Sequence, residues 1–323
     1  MTFPPHLLTQ MPDLQETLPK QQFKLTRVGV KNLRTELKVQ GKGGVLTLFP
    51  TVEMYVDLPS TRRGVHLSRD PESLHEAIEE GTRRRVPSIE DFCENLARSL
   101  LRKHDYATHA EVRLESDYVI PRSAPGQSFS VKEPCQLLAT ANATREGTAI
   151  SVSRAVGVRV VGFTACPCTQ ELLRTLTRDR LKKLGYERKQ VEEFLENSVC
   201  ATHTQRTTGS ILITCPPGKR VDMEDLATIL EGSMSGQTYT ILKRPAEASV
   251  VEAAHRRTMF TEDVVREALL AVAKRYEDFP DDVGVFVQMF SNESVHRHDI
   301  IAERTTTLGE IRREMRSGPR EAP

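Results

Sequence analysis

The chain has no excess of charge of either sign: 45 Lys and Arg face 44 Asp and Glu, for a formal net charge of +1. That balance excludes a global basic field that would draw in nucleic acid or a membrane surface, so any anion site must be local. It also has no long apolar run, nothing near the roughly 20 residues of a membrane span. The opening stretch MTFPPHLLTQMPDLQETLPKQQ shows neither the basic nor the apolar region of a leader. A soluble, cytoplasmic protein is expected. Cysteine is scarce, six in 323 residues, which is too few for a disulfide scaffold. In a reducing compartment, cysteines that lie close together are better explained by metal binding or catalysis. No Walker loop, G-x-S-x-G elbow or H-E-x-x-H helix is present, so the familiar nucleotide-binding, serine-hydrolase and zincin readings lose ground.

What is present is a repeated order of elements. TVEMYVDL alternates, with Val52, Met54 and Val56 on one face and Glu53, Tyr55 and Asp57 on the other, the mark of a half-buried strand. Asp70, Pro71 and Gly81 bracket a helix over DPESLHEAIEEG. A second helix starts at Ser88 and carries Phe92, Cys93, Leu96 and Leu100 on a core-facing stripe. Strands follow at THAEVRLESDYVI and CQLLATANA. The second half repeats the plan: strands GVRVVGFTA and GSILITC, helices capped by Asp222 and Thr261, then VGVFVQMF and the alternation around HDIIAER. The expected fold is α+β, two tandem units of antiparallel sheet with helices on one face. The expected bounds are a loose arm over 1–22, a first unit over 23–145, a second over 146–310 with a helical insert at about 169–197, and a frayed tail over 311–323.

Several residues could carry chemistry. In FTACPCTQELL, Cys166 and Cys168 flank a proline at a strand end, with Thr169 as the expected N-cap, so a positive helix terminus would favour thiolate. They could join Cys200 and His203 in a Cys3His zinc site, although C-x-C is tighter than the usual knuckle spacing. Cys93, Cys135 and Cys215 read as packing residues. A period of two places His296 and His298 of VHRH on one strand face, close to Glu293, which suits a metal or proton transfer. KRPAE reads as a proline turn bearing Lys243 and Glu247, and RRGVHLSR as a basic loop suited to phosphate or to solvent.

Taken in order, LTRVGVKNL (25–33), RGVHLSR (63–69), TACPC (164–168), THTQR (202–206), LKRPAE (242–247), FTEDVVRE (260–267) and ESVHRH (293–298) resemble GTP cyclohydrolase of type IB. Within that family the resemblance is nearest the archaeal form that opens methanopterin synthesis. It implies tandem tunnelling-fold (T-fold) units and a homodimer or homotetramer with active sites at subunit interfaces. It also implies that Cys166, His203 and Glu247 hold a divalent metal, iron(II) foremost, with zinc or manganese as alternatives. His296 would protonate guanine N7, and Cys168, Glu293 and His298 would handle later proton transfers. Glu262 would be a buried carboxylate accepting hydrogen bonds from guanine N1 and N2. Arg69, Arg206 and Lys243 are the candidates for the triphosphate of GTP. The product would be 7,8-dihydroneopterin 2',3'-cyclic phosphate, with 7,8-dihydroneopterin triphosphate as the alternative. From another class, a non-enzymatic zinc-stabilised interaction protein would need only Cys166, Cys168, Cys200 and His203.

Overall fold

A computed structural model describes residues 13–41, 44–84 and 88–318, which form two compact units. The first comprises residues up to Ser116 with Ala139–Ala155, and the second Asp117–Leu138 with the chain from Val156 onward. Three long strands contribute residues to both units, so the division is not a single cut near residue 146.

In the first unit, β1 (Leu25–Arg34), the hairpin β2 (Leu37–Gly41) and β3 (Gly44–Leu48), and β4 (Thr51–Leu58) precede α1 (Arg69–Arg84) and α2 (Ile89–Lys103). Then come β5 (His109–Arg122), β6 (Val131–Glu146) and β7 (Ala149–Ala165). The strands lie in the order β1-β4-β5-β6-β7, with β4 antiparallel to both of its neighbours, while β2 and β3 pair separately. Val52, Met54 and Val56 are at most 1% exposed, as the alternation requires. Ser88 caps α2 by accepting the Asp91 N–H at 3.2 Å, and the helix buries Phe92, Cys93, Leu96 and Leu100 on the side packed against β4. Each such large apolar side chain contributes about 1.5–3 kcal/mol by leaving water.

Local signals fail in this unit where a distant partner outbids them. Asp57, expected on the outer face of β4, is 4% exposed. Its Oδ1 accepts the N–H groups of Thr108 and His109, both at 2.7 Å, and its Oδ2 accepts Thr108 Oγ1 at 2.7 Å. Asp70 does not cap α1. The helix starts at Arg69, and Asp70 turns inward to meet His104 Nε2 at 2.8 Å. The helix also continues through Gly81 to Arg84, at a propensity cost of about 1 kcal/mol that packing against α2 offsets. Of the expected N-terminal arm, residues 1–12 lie outside the described residues. Residues 13–17 are held down: Arg63 N–H donates to Gln15 O at 3.1 Å and Thr17 O at 2.9 Å, and Arg62 pairs with Glu16 at 3.0 Å.

In the second unit β7 leads into α3 (Pro167–Lys183) and α4 (Arg188–Asn197), which precede β8. Then follow β8 (Thr204–Thr214), α5 (Met223–Ser233), the short β9 (Gly236–Gln237), α6 (Arg244–Arg256), α7 (Thr261–Arg275), β10 (Gly284–Asn292), β11 (Ile300–Thr307) and α8 (Leu308–Ser317). The order is β7-β8-β10-β11, with β10 antiparallel to β8 and β11, and β9 paired to β7. Helix α7 packs on β10 and β11 and against α5 and α8. With the β2–β3 hairpin, the α3–α4 pair, β9 and α6 set aside, two strands, two helices and two strands recur along the chain, the expected tandem plan. Each repeat also opens on Val-Gly-Val. Gly29 in β1 and Gly157 in β7 let a carbonyl of the paired strand, from Met54 and Ile211 respectively, approach where a Cβ would collide.

Four further expectations change here. Phe260, not Thr261, is the N-cap of α7. The KRPAE stretch is no turn: Lys243 precedes α6 and Pro245 sits in its first turn, where its missing N–H costs nothing. Residues 293–299 form a bend between β10 and β11 rather than a strand. Residues 311–317, expected to fray, complete α8, which Thr307 and Glu310 start with a capping box. Arg312 fastens that helix by donating to Tyr276 O at 2.8 Å and Phe279 O at 3.0 Å.

Candidate active site

Cys166, His203 and the 293–299 bend lie where β7 and β10 end and β8 and β11 begin in the second unit. Met259 N–H donates to Ala165 O at 3.0 Å and Ala165 N–H donates to Ser235 Oγ at 3.1 Å, which fixes the last residue of β7. The next residue, Cys166, is the N-cap of α3 in place of the expected Thr169. Its Sγ accepts the Thr169 N–H at 3.5 Å, so the sulfur sits at the positive end of the helix, where negative charge is favoured. Pro167 follows as the first helical residue.

Backbone pairing then brings in His203, because Cys166 N–H donates to His203 O at 3.1 Å. The ring of His203 is held through Nδ1, 3.3 Å from Ser294 Oγ. A bond at one ring nitrogen orients the other for a ligand. Ser294 belongs to the 293–299 bend, which Glu293 N–H closes by donating to Asp299 Oδ1 at 3.2 Å. The same bend carries His296 and His298, both exposed, with their rings stacked at 5.2 Å between centroids and 17° between planes. They share a neighbourhood as expected, but through the bend rather than a strand pleat.

The carboxylates stand further out. Glu247, in the first turn of α6, and Glu262, in the first turn of α7, are both exposed, so the expected burial of Glu262 is not found in the single chain. Among the described residues, Cys166, His203 and Glu247 do not have ligand atoms within 4.8 Å of one another. The donor set matches a borderline divalent metal in kind: thiol sulfur, imidazole nitrogen and carboxylate oxygen. Lys243 lies with Nζ 5.7 Å from the Phe129 ring centroid, Arg206 is exposed at the start of β8, and Cys168 is exposed in α3. Arg69 belongs to the first unit, where its Nη1 donates to Lys103 O at 2.7 Å and so caps the end of α2. That bond gives Arg69 a structural occupation.

The zinc-clamp set is no tighter. Cys200 Sγ is 3.8 Å from Gln170 O and 3.9 Å from Ala201 O. No group of three drawn from Cys166, Cys168, Cys200 and His203 converges within 4.8 Å among the described residues. Cys93, Cys135 and Cys215 are buried, and burial pushes the Cys135 thiol up to about 12. One trio does converge, Asp13, Glu16 and His66, but the Arg62 guanidinium already neutralises Glu16 at 3.0 Å. Ser235, Ser294, Gln170 and His255 went unnoticed in the sequence. Each acts on a segment 30 to 91 residues away, and no local pattern marks such reach.

Comparison with known proteins agrees with the motif order. The family model described as "Type I GTP cyclohydrolase folE2" matches residues 11–302. "GTP cyclohydrolase MptA" of Methanococcus aeolicus is 39% identical over 307 residues, covering 94% of this chain and 99% of the relative. The protein of the same name from Methanocaldococcus jannaschii is 37% identical, covering 94% and 98%. Among solved structures, uricase from Arthrobacter globiformis is similar at a TM-score of 0.49 and 10% identity, over 92% of this chain and 96% of that one. With the family model matched over nearly its whole length, this chain belongs to the type I GTP cyclohydrolase family.

Proposed function

We propose that the chain is a metal-dependent GTP cyclohydrolase that forms 7,8-dihydroneopterin 2',3'-cyclic phosphate, formate and diphosphate from GTP and water, the first step toward a methanopterin. The observation that carries this reading is the Cys166–His203 backbone bond, with the 293–299 bend tied to the same histidine. It joins three of the motifs found along the sequence into one place. The relatives named GTP cyclohydrolase MptA support the GTP cyclohydrolase reading, and the resemblance of the motifs to the archaeal form implies the cyclic product over the triphosphate.

In this reading Cys166, His203 and Glu247 hold the divalent metal, iron(II) first, with zinc or manganese as alternatives. The metal, when bound, supplies Lewis acidity and makes water a competent nucleophile at neutral pH. His296 delivers a proton to guanine N7 as water adds at C8. Glu293, Cys168 and His298 move protons as the C8–N9 bond breaks, a second water cleaves the C8–N7 bond to release formate, and the freed amine condenses with the rearranged ribose carbonyl, losing one water, to close the pterin ring. Glu262 accepts hydrogen bonds from guanine N1 and N2, and a partner subunit would bury it there. Adenine would leave that carboxylate unpaired. Arg206 and Lys243 face the phosphates, with Arg69 a weaker candidate given its bond to Lys103 O. To form the cyclic product, the side-chain 2'-hydroxyl attacks the α-phosphorus, the P–O bond to diphosphate breaks and diphosphate departs. Exposed Glu247, Glu262, His296 and His298 are consistent with a homo-oligomer whose subunits complete each other's sites.

The test is anaerobic incubation of iron-loaded protein with GTP, with assay of formate and mass analysis of the pterin. Formate with the cyclic phosphate is expected. Formate with the triphosphate would overturn the product assignment, and no formate with iron, zinc or manganese would overturn the function.

A further inference from the structure

We infer that Gln170 is a positioning residue for the metal centre: one side chain that sets the relative placement of the segments bearing Cys166, His203, Glu247 and Glu262. The inference rests on the metal-ligand reading of the first three. Gln170 lies one helical turn after Cys166 in α3, and its backbone N–H donates to Cys166 O at 3.4 Å. Its side-chain Nε2 donates to two carbonyls, Cys200 O at 2.8 Å and His255 O at 2.6 Å. Its Oε1 lies 3.4 Å from Thr258 Oγ1, which donates to it.

Each of those partners belongs to a different functional segment. Cys200 lies three residues before His203. His255 is in the last turn of α6, the helix that begins at Arg244 and carries Glu247 in its first turn. Thr258 lies in the short linker that leads to α7 and Glu262. The contact to His255 O also meets an obligation of the helix itself, since the last four carbonyls of α6 have no intrahelical partner. The His255 ring, 9% exposed, adds a second tie between the same two segments, with Nε2 3.2 Å from Thr202 O. The role demands a donor pair on a side chain of this length. A carboxylate at the same place would point oxygen at two carbonyl oxygens, and a thioether would leave both carbonyls unmatched.

Because groups that orient metal ligands typically account for roughly 10–100-fold in metal affinity, Gln170→Glu and Gln170→Met should each weaken metal binding by that order. Gln170→Lys, which keeps donors and reach, should recover part of the loss. The probe is cobalt(II) added to the metal-free full-length protein, read by chelator competition and by the thiolate-to-cobalt charge-transfer band of Cys166, below the melting temperature of each variant. The expected result is a band in the parent, none in Cys166→Ala, 10–100-fold weaker cobalt binding in Gln170→Glu and Gln170→Met, and partial recovery in Gln170→Lys. Parent-like affinity in folded Gln170→Met would overturn the inference while leaving the ligand assignment standing. A loss equal in all three variants would overturn it too, by showing that bulk packing rather than donation matters. If the parent itself shows no thiolate band, the ligand assignment falls and the inference falls with it. Should Gln170→Glu not fold, the Met and Lys variants carry the comparison.

Discussion

His104 in the first unit and His203 in the second show what the fold does with an imidazole in two settings. His104 is fully buried and both of its ring nitrogens are occupied, Nε2 by Asp70 at 2.8 Å and Nδ1 by Tyr106 OH at 2.8 Å. The Tyr106 ring in turn lies under the Arg62 guanidinium at 4.2 Å. His203 is half-buried, with Ser294 at Nδ1 and exposed histidines on the bend beside it. The first arrangement is saturated and shut off from solvent, so it can contribute only to stability. The second leaves Nε2 of His203 without a hydrogen-bond partner among the described residues, so that nitrogen is available to a ligand.

Substitutions can break or sharpen that contrast. The largest effect belongs to the open site. Cys166→Ala should lose bound metal and turnover while its melting temperature stays near that of the parent, as measured by metal analysis and thermal denaturation. Parent-like metal content in that variant would remove Cys166 from the ligand set. In the closed region, His104→Ala strands the Asp70 carboxylate in the interior. Losing that hydrogen bond and leaving a cavity where the ring stood should cost about 3–5 kcal/mol in urea denaturation, with kcat/KM per folded molecule unchanged. A variant of parent-like stability but low activity would reverse the contrast.

The smallest of the three effects concerns Asp57. Burial alone would raise its carboxyl, but the hydrogen bonds from Thr108, His109 and Lys24 outweigh that and hold it below the ordinary carboxylate range. A carboxyl lowered in the folded state binds its proton more readily when unfolded. Its stabilisation is therefore full above the ordinary range and is lost as pH falls below it, through the folded value. Asp57→Asn should cost about 1.5–3 kcal/mol near neutral pH and should flatten the acid side of the stability profile. An unchanged acid slope would show that these bonds do not govern acid unfolding.

The same contrast explains how much was legible in the sequence. Periodic burial was: Val52, Met54 and Val56 in β4 and the stripe on α2 follow from spacing alone, and Asp222 caps α5 as expected by accepting the Glu224 N–H at 2.9 Å. Motif order was enough for the family. Two helices were missed although their signals were present, Pro245 at the start of α6 and the Thr307–Glu310 capping box of α8. Pro was read as a turn former when it also suits the first turn of a helix. What no local pattern could supply were pairings across the chain, such as Asp70 with His104, 34 residues apart, or Gln170 with His255, 85 apart. The VHRH stretch misled differently, because a period of two holds only inside a strand and those residues bend away from one.

The central claim is that one cysteine, one histidine and one carboxylate hold the metal, with Cys168 and Cys200 outside the ligand set. X-ray absorption at the metal edge of the reconstituted protein tests it most directly, because sulfur and nitrogen or oxygen scatterers lie at distinguishable distances, about 2.3 Å against about 2.0–2.2 Å for zinc. The account predicts one sulfur per metal, lost in Cys166→Ala and retained in Cys200→Ser. Three sulfurs, or a sulfur that survives in Cys166→Ala, would contradict it.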